Sequence, residues 1–179
     1  LPGLEIAVRD PETGETLAPG ERGEIVVRGV GVFSGYYNDP EKTAAAFWED
    51  RWFRTGDLGV SDTEGRITFH GRLKDMLKVG GENVAAIEVE GYLALHPAVK
   101  MAQVVGIADE KYGEVAVAFV ELAPEATSSE REIIDFCRGE IASFKIPRHV
   151  RFVRDWPMGA TKILKHVLRD QINAELNLD

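Results

Sequence analysis

Four short stretches of this chain bring together residue types that can handle anions, each beside glycines or small residues that let backbone come close. In Phe53-Arg54-Thr55-Gly56-Asp57-Leu58-Gly59 an acid stands between two glycines at a strand end. Its carboxylate offers two acceptor oxygens, a match for two vicinal ribose hydroxyls. The plainer use of such an Asp is a turn in which it bonds its own backbone. The stretch from Gly71 to Asn83 is denser, with Arg72, Lys74 and Lys78 ahead of Gly80-Gly81-Glu82 and a helix expected from about Val84. Two glycines beside cations suit an anionic or narrow extended ligand, and a solvated hairpin with charged edges is the alternative. Trp156 to Lys165 reads as a loop of small residues that carries Lys162 into the last helix. A lysine there can meet a phosphate or carboxylate as a point charge, although most lysines only solubilise. Gly29-Val30-Gly31 with Gly35 has the glycine density of a dinucleotide fingerprint, but Tyr36-Tyr37-Asn38 follows instead of a helix start, so a turn is expected.

Other chemistries lack their residues. His70, His96, His149 and His166 share no metal-ligand spacing, and there is no Gly-x-Ser-x-Gly nucleophile elbow. Cys137, near Ile133 and Phe136 on an apolar helical face, reads as core. The single cysteine excludes a disulfide framework and points to a reducing, cytoplasmic setting. Twenty-one basic against thirty acidic residues, a net charge of −9, argue against a nucleic-acid partner. No stretch approaches the ~20 apolar residues of a membrane span. With 179 residues and 44% hydrophobic content the chain can bury a proper core as one domain or two small ones.

The elements that must position these residues change character near Arg72. Before it, Leu4–Val8, Glu24–Arg28, Phe53–Val60 and Arg66–Phe69 read as strands, with one short helix capped by Asp39, opened by Pro40 and reaching Trp48. After it, a helix is expected over Val84–Leu95 and two strands over Lys100–Ile107 and Val115–Leu122. Then come a helix capped by Ser128 or Ser129 and running to about Ala142, a strand over His149–Val153, and a helix over Ile163–Leu176. Residues 1–71, with many strands and one short helix, would close a poor core alone, so they read as the end of a larger domain.

In this order and spacing the clusters resemble the C-terminal third of the adenylate-forming (AMP-binding) superfamily. Gly23 to Gly29 with Gly35-Tyr36-Tyr37, then Phe53 to Gly59, Gly71 to Glu90 and the Lys162 segment carry the resemblance over nearly the whole chain. Phe144-Lys145-Ile146-Pro147-Arg148 and Gly80-Gly81-Glu82-Asn83-Val84 are similar to acyl-CoA synthetases, the fatty-acid–CoA ligases among them. A peptide-synthetase adenylation domain is the near alternative. A non-catalytic module binding an adenylate or a protein partner is the distant one.

The resemblance implies an α+β fold, with residues 1–71 the β-rich end of the large domain. Residues 72–179 would be a mobile lid, a short antiparallel sheet flanked by helices. It implies two steps: a carboxylic acid attacks the α-phosphate of ATP to give acyl-AMP, and coenzyme A then displaces AMP. Asp57 would hold the ribose hydroxyls with Arg72 in support, and Lys74 with Asp75 would mark the hinge. Lys162 would bridge carboxylate and phosphate, whereas Thr161 stands where the family usually has glycine, which leaves Lys165 as a rival. For thioester formation the Lys78–Gly81 face, with Gly80, Gly81 and Glu82, would take coenzyme A. The Mg²⁺ site and most of the acyl pocket would lie in an upstream N-terminal domain, so this chain alone is expected to be inactive.

Overall fold

The computed structural model describes residues 3–176, and the chain divides into two compact units, the first ending at Lys74 and the second beginning at Asp75. The first unit is an antiparallel sheet of β1 (Leu4–Arg9), β2 (Arg22–Gly29), β3 (Phe53–Ser61) and β4 (Ile67–Arg72), paired in chain order. Helix α1 (Pro40–Ala45) lies between β2 and β3, with Pro40 in its first turn and the Asp39 carboxylate accepting the Lys42 N–H at 2.9 Å. It stops short of the expected Trp48 because Phe47 leaves the helix to bridge Phe53. Apolar burial here is modest. Val8, Val26, Trp52 and Leu58 are buried, and Trp52 is covered by the guanidinium groups of Arg9 and Arg28 at 4.8 and 4.6 Å.

The second unit is a five-stranded sheet of β5 (Met76–Val79), β6 (Glu82–Ala85), β7 (Val99–Asp109), β8 (Gly113–Leu122) and β9 (His149–Phe152). The strand order is β6-β5-β8-β7, and β9 also pairs with β8. Three helices flank it: α2 (Ala86–Leu93), α3 (Glu130–Cys137) and α4 (Lys165–Leu176). Alternation along β8 sets the layers. Ala116, Ala118 and Val120 join Val89, Leu93, Ile133 and Cys137 in one apolar cluster, whereas Val115, Val117 and Phe119 join Leu168 and Ile172 in another. A strand covered on both faces has no polar side to show, hence the unbroken apolar run from Val115 to Val120.

The second unit departs from the sequence-based expectations at four places. The sheet is not wholly antiparallel, because α3 carries the chain back so that β9 runs parallel to β8. Glu82–Ala85 is a strand instead of the approach to a helix, since the Gly80-Gly81 turn folds it back on β5 with Met76 opposite Ala85. Helix α3 starts from a capping box in which Ser129 Oγ accepts the Glu132 N–H at 3.2 Å and Glu132 accepts the Ser129 N–H at 2.7 Å. It ends at Cys137 instead of Ala142, with Arg138 extended. Helix α4 begins at Lys165, because Ile163 is held in a bridge to Met158. Cys137 is core, and burial pushes its thiol up to about 11.

Core packing at β8 predicts a steep contrast. Phe119→Ala, at a side chain with no exposure, should destabilise the second unit by about 3–5 kcal/mol in urea unfolding, whereas Met101→Ala, at 37% exposure, should cost well under ~1 kcal/mol.

Candidate active site

In the first unit the structure brings Asp57 and Arg72 together. They are directly opposite each other across β3 and β4, with Arg72 Nε 3.0 Å from Asp57 Oδ1. Asp57 sits within β3 and does not bond its own backbone through its side chain; its N–H instead donates to Thr55 Oγ1 at 3.0 Å. Although Arg72 is close, Asp57 Oδ1 makes no well-aligned hydrogen bond and is itself shielded from solvent. The pair is therefore charge-matched, yet the carboxylate keeps acceptor capacity for a ligand.

The brace behind Asp57 is Glu24, a residue to which sequence reasoning gave no role. Its side chain is buried, with one carboxylate oxygen 3.0 Å from Arg54 Nε and the other accepting the Gly56 N–H at 3.0 Å. Thr55 Oγ1 adds a bond to the Ile25 carbonyl at 2.6 Å. A buried carboxylate needs such partners, and here the partners are the two residues that flank Thr55 just ahead of Asp57. The available signal was an acid at an inward position of an apolar strand.

Lys74 and Asp75, expected from the sequence to mark a hinge, fall where the two units divide. Lys74 is exposed and Asp75 half-buried in a single 3₁₀ turn, Leu73–Asp75. In the second unit Lys78, Gly80, Gly81 and Glu82 are exposed on the β5–β6 hairpin, so the hairpin alternative describes the local structure. Gly80 and Gly81 have φ of +61° and +89° and form its two-residue turn, the left-handed pair that right-twisted hairpins need. A Cβ on Gly81 would meet nothing within 4 Å, and one on Gly80 would meet only Tyr112, at 3.4 Å. Internal packing therefore does not require glycine at either place; the turn does. The hairpin is pinned to the start of β8, where Gly80 N–H donates to the Tyr112 carbonyl at 2.7 Å and Val79 lies opposite Gly113.

Lys162 is on a tight loop elsewhere in this unit. Met158 bridges Ile163, Gly159 N–H donates to the Lys162 carbonyl at 2.8 Å, and Leu164 N–H donates to the Pro157 carbonyl at 2.7 Å. The loop is fastened at the end of β8, where Trp156 Nε1 donates to Glu121 at 2.7 Å. Hydrogen bonds from Lys100 and then Trp156 hold the Glu121 carboxyl below the usual range. The Lys162 side chain is exposed and has no hydrogen-bond or ion-pair partner among the described residues. Lys165 is engaged: its ammonium is 2.6 Å from Glu90, with both side chains largely covered. The loop and the hairpin are thus not brought together. The hairpin is anchored at Gly113 and the Trp156 foot of the loop at Glu121, roughly 27 Å apart along β8. Among the described residues no cluster of His, Cys, Asp or Glu is arranged to hold a metal, and no helix is long and apolar enough to cross a membrane.

Two sequence profiles of known families match this chain. The AMP-binding enzyme profile matches residues 1–37, and the AMP-binding enzyme C-terminal domain profile matches residues 88–174. The chain belongs to the adenylate-forming, AMP-binding enzyme family. It is 40% identical over 178 residues to the medium-chain acyl-CoA ligase ACSF2, mitochondrial, of Danio rerio, covering 99% of this chain and 29% of that protein. It is 44% identical over 179 residues to the putative acyl-CoA synthetase YngI of Bacillus subtilis, again over 99% of this chain, and 33% of that one. Among solved structures, ATP-bound MatB from Rhodopseudomonas palustris superposes with a TM-score of 0.89 at 40% identity, over 96% of this chain and 34% of that one. The chain spans about a third of the length of the relatives it matches.

The hairpin geometry makes a prediction about stability alone. Asn tolerates the left-handed region, whereas a β-branched residue does not, so Gly80→Asn should leave the urea midpoint nearly unchanged while Gly80→Val should cost about 1–2 kcal/mol.

Proposed function

We propose that this chain is the C-terminal part of an ATP-dependent acyl-CoA synthetase. Residues 75–179 would act as a lid that rotates between two half-reactions about a hinge at Lys74 and Asp75. The observation that carries the reading is the anchoring of the hairpin and of the Trp156 foot of the Lys162 loop at opposite ends of β8. A rigid body with two such loops can offer both to one site only by turning, which is domain closure of the hinge type.

In the first half-reaction an oxygen of the substrate carboxylate attacks the α-phosphorus of ATP, and pyrophosphate leaves. Asp57 receives the two ribose hydroxyls with its free acceptor capacity, and Arg72 lies beside it, its Nε 3.0 Å from Oδ1. Lys162 holds carboxylate and phosphate oxygens together while negative charge redistributes, a preorganised cation that costs no rearrangement at the moment of reaction. Its lack of a partner supports this role over Lys165, which already neutralises Glu90. In the second half-reaction the sulfur of coenzyme A attacks the acyl carbonyl and AMP leaves. Lys78, Gly80, Gly81 and Glu82 would then line the path of the pantetheine arm, with the open space at Gly81 supporting passage of a narrow chain. ATP and coenzyme A are co-substrates. Mg²⁺, if used, would be held by residues of an upstream N-terminal domain, which would also supply the acyl pocket.

The acid is a carboxylic acid, and medium-chain fatty acids head the panel because two vertebrate relatives, the zebrafish and rat proteins, are named for medium-chain acyl-CoA ligation. The buried thiol suits a reducing interior, and cytoplasmic is our assignment for this chain.

Two variants in the complete enzyme test the division of labour. Lys162→Ala should lower carboxylate-dependent ATP–pyrophosphate exchange by roughly 10²–10³-fold, about 3–4 kcal/mol, yet spare thioester formation from supplied acyl-adenylate. Gly81→Leu should do the reverse. Equal damage to both half-reactions by both variants would overturn the proposal. Residues 1–179 alone should show no exchange.

A further inference from the structure

The Lys162 loop has two fastenings, and one of them is oddly placed. Lys165 and His166 open α4, whose first turn holds no acid. The N-terminus of a helix carries partial positive charge and disfavours cations, so lysine is a poor choice there on helical grounds. What the position does offer is reach to Glu90 on α2. Glu90 Oε1 accepts from Lys165 Nζ at 2.6 Å and from the Val104 N–H of β7 at 2.8 Å. The side chains of Lys165 and Glu90 are 19% and 13% exposed, so the pair is screened far less than a surface pair. One oxygen therefore ties the start of α4 to α2 and to β7 together.

We infer that the Glu90–Lys165 ion pair is a positioning device for adenylation, fixing the foot of the loop from which Lys162 reaches its substrates. The inference rests on the adenylation role of Lys162 proposed above. Only Ile163 and Leu164 separate Lys162 from this anchor, and both are held, Ile163 by its bridge to Met158 and Leu164 by its bond to the Pro157 carbonyl. The other foot is held by Trp156 on Glu121, itself paired with Lys100. With both feet fixed, the loop backbone has little left to order when Lys162 engages, and the cost of orientation falls on its four-carbon stem alone. The anchor acts through Lys162 and touches neither ATP nor acid.

The test uses the complete enzyme and reads the two half-reactions separately. Lys165→Met keeps the apolar stem and removes the charge; Glu90→Gln keeps an acceptor for the Val104 N–H. Each should lower carboxylate-dependent pyrophosphate exchange by roughly ten- to a hundredfold through kcat, with the KM for ATP little changed. Thioester formation from supplied acyl-adenylate should stay at the wild-type rate, and Lys165→Arg should recover most of the lost exchange. A loss shared equally by both half-reactions would mean a general structural role and overturn the inference. So would wild-type exchange in either variant. Lys162→Ala run in parallel separates the two ideas. If it abolishes exchange while Lys165→Met does not, the anchor fails alone; if it leaves exchange intact, the assignment of Lys162 fails and the anchor with it.

Discussion

The second unit is organised by the need of one strand to satisfy its backbone on both edges and bury both faces. Strand β8 pairs with β7 along its length on one edge, from Asp109 opposite Gly113 to Val99 opposite Leu122. The other edge is shared, with β5 meeting it at Gly113 and β9 meeting it from Val117 to Val120. Because every side chain of β8 from Val115 to Val120 is buried, the strand cannot slip by one residue without exchanging the contents of two apolar layers. Its two ends are therefore fixed points. The glycine hairpin hangs from one and the Trp156 foot of the lysine loop from the other, so their separation is inherited from strand length.

In the first unit a buried charge plays the corresponding part. Glu24 has no apolar reason to be buried in β2, and it is tolerated because Arg54 and the Gly56 N–H meet both of its oxygens. Those two bonds set the course of β3 just before Asp57. The register shift between Glu24 and Val26 occurs at the same place, just ahead of Asp57. Asp57 and Arg72 then need only the β3–β4 pairing to come together.

Much of this was legible in the chain because local signals agreed with the global result. Alternation, turn residues, the Asp39 cap and the Ser129-x-x-Glu132 box mark their elements, since each depends on neighbours within four residues. The glycine pair left two readings open, a close-approach loop and a hairpin; the two have the same composition, and pairing across β5 and β6 decides for the hairpin. Contacts distant in sequence left little trace. Glu24 with Arg54, Glu90 with Lys165 and Trp156 with Glu121 join residues 30, 75 and 35 positions apart, and nothing in a single strand or helix pattern announces the partner. The motif position assigned the role to Lys162 with Lys165 as rival, and nothing in the sequence showed that Lys165 is covered beside Glu90.

The parallel pairing of β8 with β9 also orders assembly in time. Hairpins β5–β6 and β7–β8 close over two and three residues, so they can form as soon as their strands exist. Strand β9 reaches β8 only after residues 123–148 have folded back, which is slower because loop closure must precede any gain from contact. The lysine loop and α4 follow β9 in the chain. During synthesis from the N-terminus, then, the Gly80-Gly81 hairpin is in place early and the Lys162 loop is set last, on a nearly finished sheet.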